Sequence, residues 1–403
     1  MKIDGNLSFV LDKAAASASE AEAAGYSGAF TAETSHDPFL PCALAAEHTE
    51  TLEIGTSIAV AFARNPMTVA NTAWDLQAFS KGRFILGLGS QIKPHITKRF
   101  SMEWSNPGSR MREFVQALHA IWDTWQNGTK LQFEGEFYRH TLMTPMFSPE
   151  PLDGPMPKVY LAAVGPYMTR VAGEVCDGWI SHGFTTASYL EEVSIPALHV
   201  GVDKAGRQAS DIEISLPAFV VTGENEEQFE AAAAATRKQI AFYGSTPAYK
   251  AVLDHHGWGD AQVALNRMSK EGKWDEMAEV IDQEMLETFA VVAEPDRVAA
   301  ELKSRFGPER SEAAIARKRS LRLARSGLEC ALRIYQRFEP PAAGRLQNLV
   351  APGSTLGCPQ DTTDGNLRLT QQALLPCKKR SFMTSTAPID RVELDRIVQL
   401  YLD

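Results

Sequence analysis

The chain has 403 residues, 44% of them hydrophobic and 22% charged, with a formal net charge of −10. That is enough chain for one large domain or two ordinary ones. The acidic balance argues against nucleic acid as the main partner, and no apolar run approaches the roughly 18 residues a membrane span needs.

Five cysteines without CxxC spacing give neither a zinc site nor a disulfide framework. The segment Met1 to Asn6 lacks the apolar core of a signal peptide. The expectation is a reduced, cytoplasmic protein with no metal. Charge is unevenly spread: residues 1–307 carry −15 and residues 308–403 carry +5. All nine histidines precede residue 308, and three of the five cysteines follow it. This composition break marks a boundary between a main domain, 1–307, and a basic tail, 308–403.

Up to residue 221 the pattern alternates strand and helix. Strands are expected at 2–7, 27–32, 52–59, 83–88, 159–163, 178–181 and 212–221. Between them lie helices at 14–24, 41–50, 66–80, 110–126 and 167–175. Pro66 suits a first helical turn, and Gly25 ends an alanine-rich helix. Phe114, Leu118, Ile121 and Trp125 recur at helical spacing. Alternating units of this kind imply a parallel sheet, and seven of them favour a closed (β/α)8 TIM barrel over an open sheet. Phe133 to Tyr138 reads as a hairpin turning at Gly135. The Met/Pro-rich loop 142–157 is long enough to cover a pocket. Helical segments at 247–253, 260–269 and 274–289 suggest a cap or partner surface, and a helix starting near Glu294 runs to Phe306. After Gly307 a barrel needs an eighth strand. The sequence offers instead a basic helical stretch, 313–325, then a Pro/Gly/Ser/Thr-rich region, 339–388, expected to be disordered, and a short amphipathic helix at 390–402. The eighth strand is therefore expected to be missing or atypical, so that the edges of the first and seventh strands are covered by tail residues, covered by a partner, or left as an aggregation liability.

Two strand ends stand out. Gly82-Arg83-Phe84-Ile85-Leu86-Gly87-Leu88-Gly89-Ser90 and Tyr160-Leu161-Ala162-Ala163-Val164-Gly165-Pro166 both stop at glycine. The second runs straight into a helix. An open helix N-terminus with its free N–H groups suits a phosphate, so a phosphorylated cofactor at the C-terminal rim of a barrel is one reading. The plainer reading is two tight turns that need glycine for backbone reasons. Glu33, His36 and Asp37 follow the second strand, and His36 is the best candidate for proton transfer; alternatively Asp37 caps the next helix and His36 is a loop histidine. Arg64 after the third strand is a candidate to hold a substrate carboxylate or phosphate, or alternatively only a structural acid, and Gln91 and His95 after the fourth are candidate substrate contacts or plain solvated residues. No Walker loop, nucleophile elbow or zinc-helix motif is present.

Taken together the motifs resemble the luciferase-like monooxygenase superfamily, and most closely its branch of probable coenzyme F420-dependent oxidoreductases. The carrying pieces are Ala24-Gly25-Tyr26-Ser27-Gly28, Thr31-Ala32-Glu33, His36-Asp37-Pro38-Phe39, Gly55-Thr56-Ser57-Ile58, Arg64-Asn65-Pro66, the Gly82 to Gly89 strand, Gly165-Pro166, Ala172-Gly173 and Asp177-Gly178. They span residues 1–307. The resemblance implies a flavin or deazaflavin at the barrel's C-terminal rim and a non-proline cis peptide at Ser57-Ile58 supporting its ring. It implies cofactor contacts from Ser57, Ile58, Gly87, Gly89, Gly165 and Pro166, with the phosphate at the last two, and maps the acid at the end of the second strand to Glu33. Thr34 stands where many members have histidine, and Ser90-Gln91-Ile92 stands where sugar-phosphate dehydrogenases have a glutamate. The expected activity is hydride transfer between F420 and a small organic substrate. A reduced-FMN monooxygenase and a non-catalytic barrel are the alternatives, and a homo-oligomer is open.

Overall fold

The computed structural model describes residues 2–307 and the backbone of 321–324. Eight strands form a closed parallel barrel: Lys2–Asn6, Gly28–Thr31, Glu53–Thr56, Phe84–Gly89, Lys158–Ala162, Gly178–Ile180, Glu213–Pro217 and Leu321–Ala324. Each pairs with the next, and the third pairs directly with the fourth. Closure is made by Leu321–Ala324, which lies parallel between the first and seventh strands, with Lys2 opposite Arg322 and Ile214 opposite Leu321.

That strand corrects the expectation that no eighth strand follows Gly307. It also replaces helix at 321–324, and it pairs both edges that were expected to be open. The run Leu-Arg-Leu-Ala holds no β-branched residue and reads as helix-forming. It is extended because a gap of one strand's width, flanked by two unsatisfied ladders, is open to it; β preference follows context more than residue type. The remainder of the expected helix 313–325, the region 339–388 and the helix 390–402 lie outside the described residues.

Partners in a parallel ladder share a face, which sets the barrel's interior layers. At the N-terminal end Lys2, Glu53, Lys158 and Glu213 form a chain of ion pairs, at 2.8 Å (Lys2–Glu53), 3.9 Å (Lys2–Glu213) and 2.7 Å (Lys158–Glu213). Above them large rings fill space left by glycines. A Cβ on Gly178 would stand 2.4 Å from the Tyr160 ring, and one on Gly55 would stand 2.6 Å from the Phe30 ring. Phe30, Ile85, Tyr160 and Ile180, with Ile58 and Ala162, form the inner cluster.

The outer helices follow the sequence closely. The helix Pro66–Phe79 starts at Asn65, whose side chain accepts the Thr68 N–H at 3.0 Å. The helix Pro107–Asn127 buries Phe114, Leu118, Ile121 and Trp125 and stops at Gly128, where φ is 66°. The hairpin forms as Phe133–Glu134 against Arg139–His140, its turn held by the Glu113 carboxylate, which accepts the N–H groups of Glu136, Phe137 and Tyr138. The loop 142–157 does not cover the mouth. It lies on the third and fourth helices, where Trp125 Nε1 meets Met143 Sδ at 3.3 Å, Trp74 donates to Glu150 O, and Gln77 donates to Pro155 O.

The expected strand 212–221 divides after Pro217. Phe219–Val221 leaves the barrel and pairs in parallel with Ala290–Val292. Together with the helices Glu226–Gly244, Lys250–His255, Gly259–Lys270 and Gln283–Phe289, this pair surrounds a second core that includes Phe219, Val221, Ile240, Leu253, Leu265 and Phe289. The helical region is thus a lobe built into the seventh connection, and Phe184 and Tyr189, from the segment that follows the sixth strand, belong to the same core.

Closure gives a direct test. A chain ending at Gly307 loses the strand between the first and seventh and is expected to aggregate or to melt well below a chain ending at residue 330. Equal melting temperatures and equal monomer yield on gel filtration would count against the eighth strand.

Candidate active site at the C-terminal mouth of the barrel

Because all eight strands run the same way, their C-terminal ends meet at one mouth, the end at which barrels of this kind keep their reactive residues. The floor is apolar. Phe30, Ile58 and Ala162 are half-buried above the buried Ile85, Tyr160 and Ile180. Asn6, Ser57 and Gly165 stand exposed around it.

The third strand ends at Thr56, and the Ser57–Ile58 peptide bond that follows is cis, at the position the resemblance implied. The chain then resumes as Ala59–Val60, paired with Leu88 and Gly89 of the fourth strand. Gly87 and Gly89 are fixed by this passage. Thr56 Oγ1 donates to Gly87 O at 2.7 Å and accepts Gly87 N–H at 3.0 Å, and a Cβ on Gly87 would stand 1.8 Å from Thr56 O. At Gly89 a Cβ would meet Ile58 Cδ1 at 2.7 Å. Both glycines therefore have a packing reason: Gly87 admits the Thr56 carbonyl and Gly89 seats Ile58.

Glu33 is enclosed, its side chain 6% exposed. Its Oε2 accepts Val60 N–H at 2.7 Å and Arg64 Nη1 at 2.6 Å. Arg64 also donates to Val60 O at 3.1 Å and to Asp37 Oδ2 at 3.2 Å, and its guanidinium lies over the Phe39 ring at 5.3 Å. Asp37 Oδ1 accepts the N–H groups of Phe39 and Leu40 at 2.9 and 3.3 Å, which is the helix-start role weighed for it. His36 is exposed and stacks on Phe9, ring centroids 5.5 Å apart. The structure thus gathers Glu33, Arg64 and Asp37 into one network and leaves His36 beside it on the rim.

Gln91, with φ of 59°, and His95 are half-buried beyond the fourth strand. The Gln91 side chain accepts the Ile92 N–H at 2.9 Å. Burial, and then the charge of Arg99, lower the pKa of His95. Beyond the fifth strand, Gly165 begins the helix Pro166–Val175, whose first turn carries no side-chain cap. Gly165, Pro166 and Tyr167 are exposed, and a Cβ on Gly165 would meet nothing within 4 Å. Tyr167 stands next to it between Arg112 and Arg170, 5.8 and 5.4 Å from its ring. Its hydroxyl lies 3.2 Å from Ser109 Oγ, and that hydrogen bond, followed by one with Arg112, lowers the phenol's pKa.

One residue at this end escaped the sequence reading. His182, two residues past the sixth strand, accepts Phe184 N–H on Nδ1 at 3.0 Å, so its neutral ring carries the proton on Nε2, 3.2 Å from Tyr249 Oη. It stacks on Tyr249 at 4.5 Å and meets the edge of Tyr243 at 4.7 Å. Histidine shortly after a strand was a usable signal; its partner comes from the lobe, 67 residues on, which no local pattern shows. Among the described residues no group of His, Cys, Asp and Glu is arranged to hold a metal ion, and no described helix is long and apolar enough to cross a membrane.

The luciferase-like monooxygenase family model matches residues 3–307. The chain belongs to that family. An uncharacterised protein of Mycobacterium tuberculosis is 58% identical over 305 residues, covering 76% of this chain and 90% of its own. A putative coenzyme F420-dependent oxidoreductase of the same organism is 27% identical over 303 residues, covering 70% and 84%. Among solved structures, the coenzyme F420 dependent tetrahydromethanopterin reductase of Methanopyrus kandleri superposes with a TM-score of 0.63 at 19% identity, covering 82% of this chain and 95% of that one. The FMN complex of a Pseudomonas putida diketocamphane monooxygenase gives 0.54 at 18% identity, covering 78% and 86%. The proteins this chain resembles in sequence and in fold thus include ones named for coenzyme F420 and one solved with FMN.

Burial pushes the pKa of His182 down from 6.5 to about 4. The folded protein keeps this ring neutral where the unfolded chain takes up a proton, so its contribution to stability is present above the unfolded value of 6.5 and is lost as pH falls towards 4. The full loss is roughly 3 kcal/mol. The melting temperature is expected to fall over this range, and less steeply in His182→Gln. Parallel pH profiles for the two proteins would remove His182 from the account.

Proposed function

We propose that this chain is an oxidoreductase that holds coenzyme F420 at the barrel mouth and transfers a hydride between it and a small organic substrate. The observation that carries this reading is the pairing of an apolar floor at Ile58 with an uncapped, exposed helix start at Gly165–Pro166. A planar ring needs the first and a phosphate the second. The residues fit such a group: the space beside Gly165 is open, and Tyr167, Arg112 and Arg170 flank it. F420 is favoured over FMN by the names of the 27%-identical relative and of the Methanopyrus reductase.

When bound, the deazaflavin supplies hydride transfer. The chain's residues hold it and manage the proton. Ile58 and Phe30 would support the ring, Gly165 and Pro166 would hold the phosphate, and His36 would give or take the proton that accompanies the hydride. Substrate enters over Gln91 and His95. The closed eighth strand takes away the structural reason for reading the barrel as non-catalytic.

Fluorescence titration of the purified chain with F420 and with FMN tests the cofactor directly, and tight binding of FMN alone would reassign the protein to the monooxygenase chemistry. Gly165→Val is expected to weaken cofactor binding at least tenfold, about 1.4 kcal/mol, in a chain that still folds, since the new side chain points into open space. Unchanged affinity would sink the phosphate site. His36→Ala is expected to lower turnover roughly 100-fold with little change in cofactor affinity; wild-type turnover would leave His36 a loop residue stacked on Phe9.

A further inference from the structure

We propose that the Glu33–Arg64 ion pair is a positioning clamp for the floor of the site, acting on Ile58 through Val60, and that neither residue is a proton donor or a substrate contact. The inference rests on the cofactor reading above. Both main-chain polar groups of Val60 are taken by the pair. Its N–H goes to Glu33 Oε2 at 2.7 Å and its carbonyl accepts Arg64 Nη1 at 3.1 Å. Two residues earlier, Ile58 O accepts Glu33 N–H at 3.1 Å, and Ser57 N–H goes to Thr31 O at 2.6 Å. The end of the second strand, its loop and Arg64 therefore grip the passage 57–60 at Ser57, Ile58 and Val60, the last through the ion pair. On the other side the passage is fixed by pairing of Ala59 and Val60 with Leu88 and Gly89. Ile58, between these grips, contributes its side chain to the inner cluster.

Arg64 is also tied outward. Nη2 reaches Asp37 Oδ2 at 3.2 Å, and Asp37 holds the start of the helix Phe39–His48. One guanidinium thus joins two carboxylates and a carbonyl, a geometry that its planar fork can satisfy and a lysine ammonium cannot reproduce. Glu33 is 6% and Arg64 21% exposed, so the charges are largely out of water and removing either leaves the other poorly compensated. A misplacement of about 1 Å at a group that orients a reacting ring is enough to cost function.

The experiment compares cofactor affinity, measured by fluorescence titration with F420 and FMN, and amide exchange at Val60, in wild type, Arg64→Ala, Arg64→Lys, Glu33→Gln and Glu213→Gln. The last breaks ion pairs of the same kind at the opposite end of the barrel. Arg64→Ala is expected to raise the cofactor Kd tenfold or more and Arg64→Lys about threefold, both with faster exchange at Val60. Glu213→Gln is expected to lower the melting temperature with Kd unchanged, which separates positioning from general destabilisation. A folded Arg64→Ala chain with wild-type Kd overturns the clamp. Should that variant not fold, wild-type Kd in both Arg64→Lys and Glu33→Gln overturns it. A wild-type chain that binds neither cofactor overturns the cofactor reading instead, and slow, wild-type-like exchange at Val60 in the variants would overturn the clamp independently of any cofactor.

Discussion

Everything at the mouth depends on closure of the parallel ladder. A sheet with two free edges presents rows of unsatisfied N–H and C=O groups; bending it into a ring removes both edges at once. Here the last join is a four-residue strand drawn from beyond the charge break in the chain. With it in place the strand ends are fixed relative to one another, and side chains as far apart in sequence as Phe30, Ile58 and Ile180 become one surface.

The interior shows how that surface is kept level. Inward positions are filled by a few large rings set against glycines, Tyr160 against Gly178 and Phe30 against Gly55, with Ile58 seated over Gly89. Each ring occupies space that a neighbouring strand gives up, so the packing is reciprocal and adding a methyl group at a glycine displaces an aromatic or a carbonyl. The charged layer at the other end, Lys2, Glu53, Lys158 and Glu213, seals the barrel away from the site. Conserving shape at one end and reactivity at the other is the division of labour expected of this architecture.

The lobe between the seventh strand and the helix Val298–Phe306 is a second body of packed side chains whose aromatic members meet the loop after the sixth strand. His182 sits at that junction. Its ring is neutral, hydrogen-bonded at Nδ1 and stacked on a tyrosine from the lobe. The junction therefore carries a titratable group held in its uncharged form by burial, and its integrity is tied to pH.

Pattern alone placed seven strands and the helices after the first five of them, because each of those elements repeats an apolar residue at two- or 3.6-residue spacing against a core; the glycine turn placed the hairpin at Gly135, and the helix Ile195–Lys204 after the sixth strand was not foreseen. The glycine-ended strands and the Gly165–Pro166 helix start were legible for the same local reason. Three further things were not. Leu321–Ala324 has a helix-forming composition and becomes a strand only because the ladder on each side of it is unsatisfied. Val220 sits within an apparently continuous strand, yet the chain leaves the barrel after Pro217 to pair with Ala290–Val292, 71 residues on. Glu33 read as a catalytic acid and Arg64 as a holder of a substrate anion or of some unspecified structural acid, and the fold makes them each other's partner at 2.6 Å. In each case the deciding interaction joins residues far apart in sequence, so the information lies in which groups the fold brings into contact, and a local pattern does not contain it.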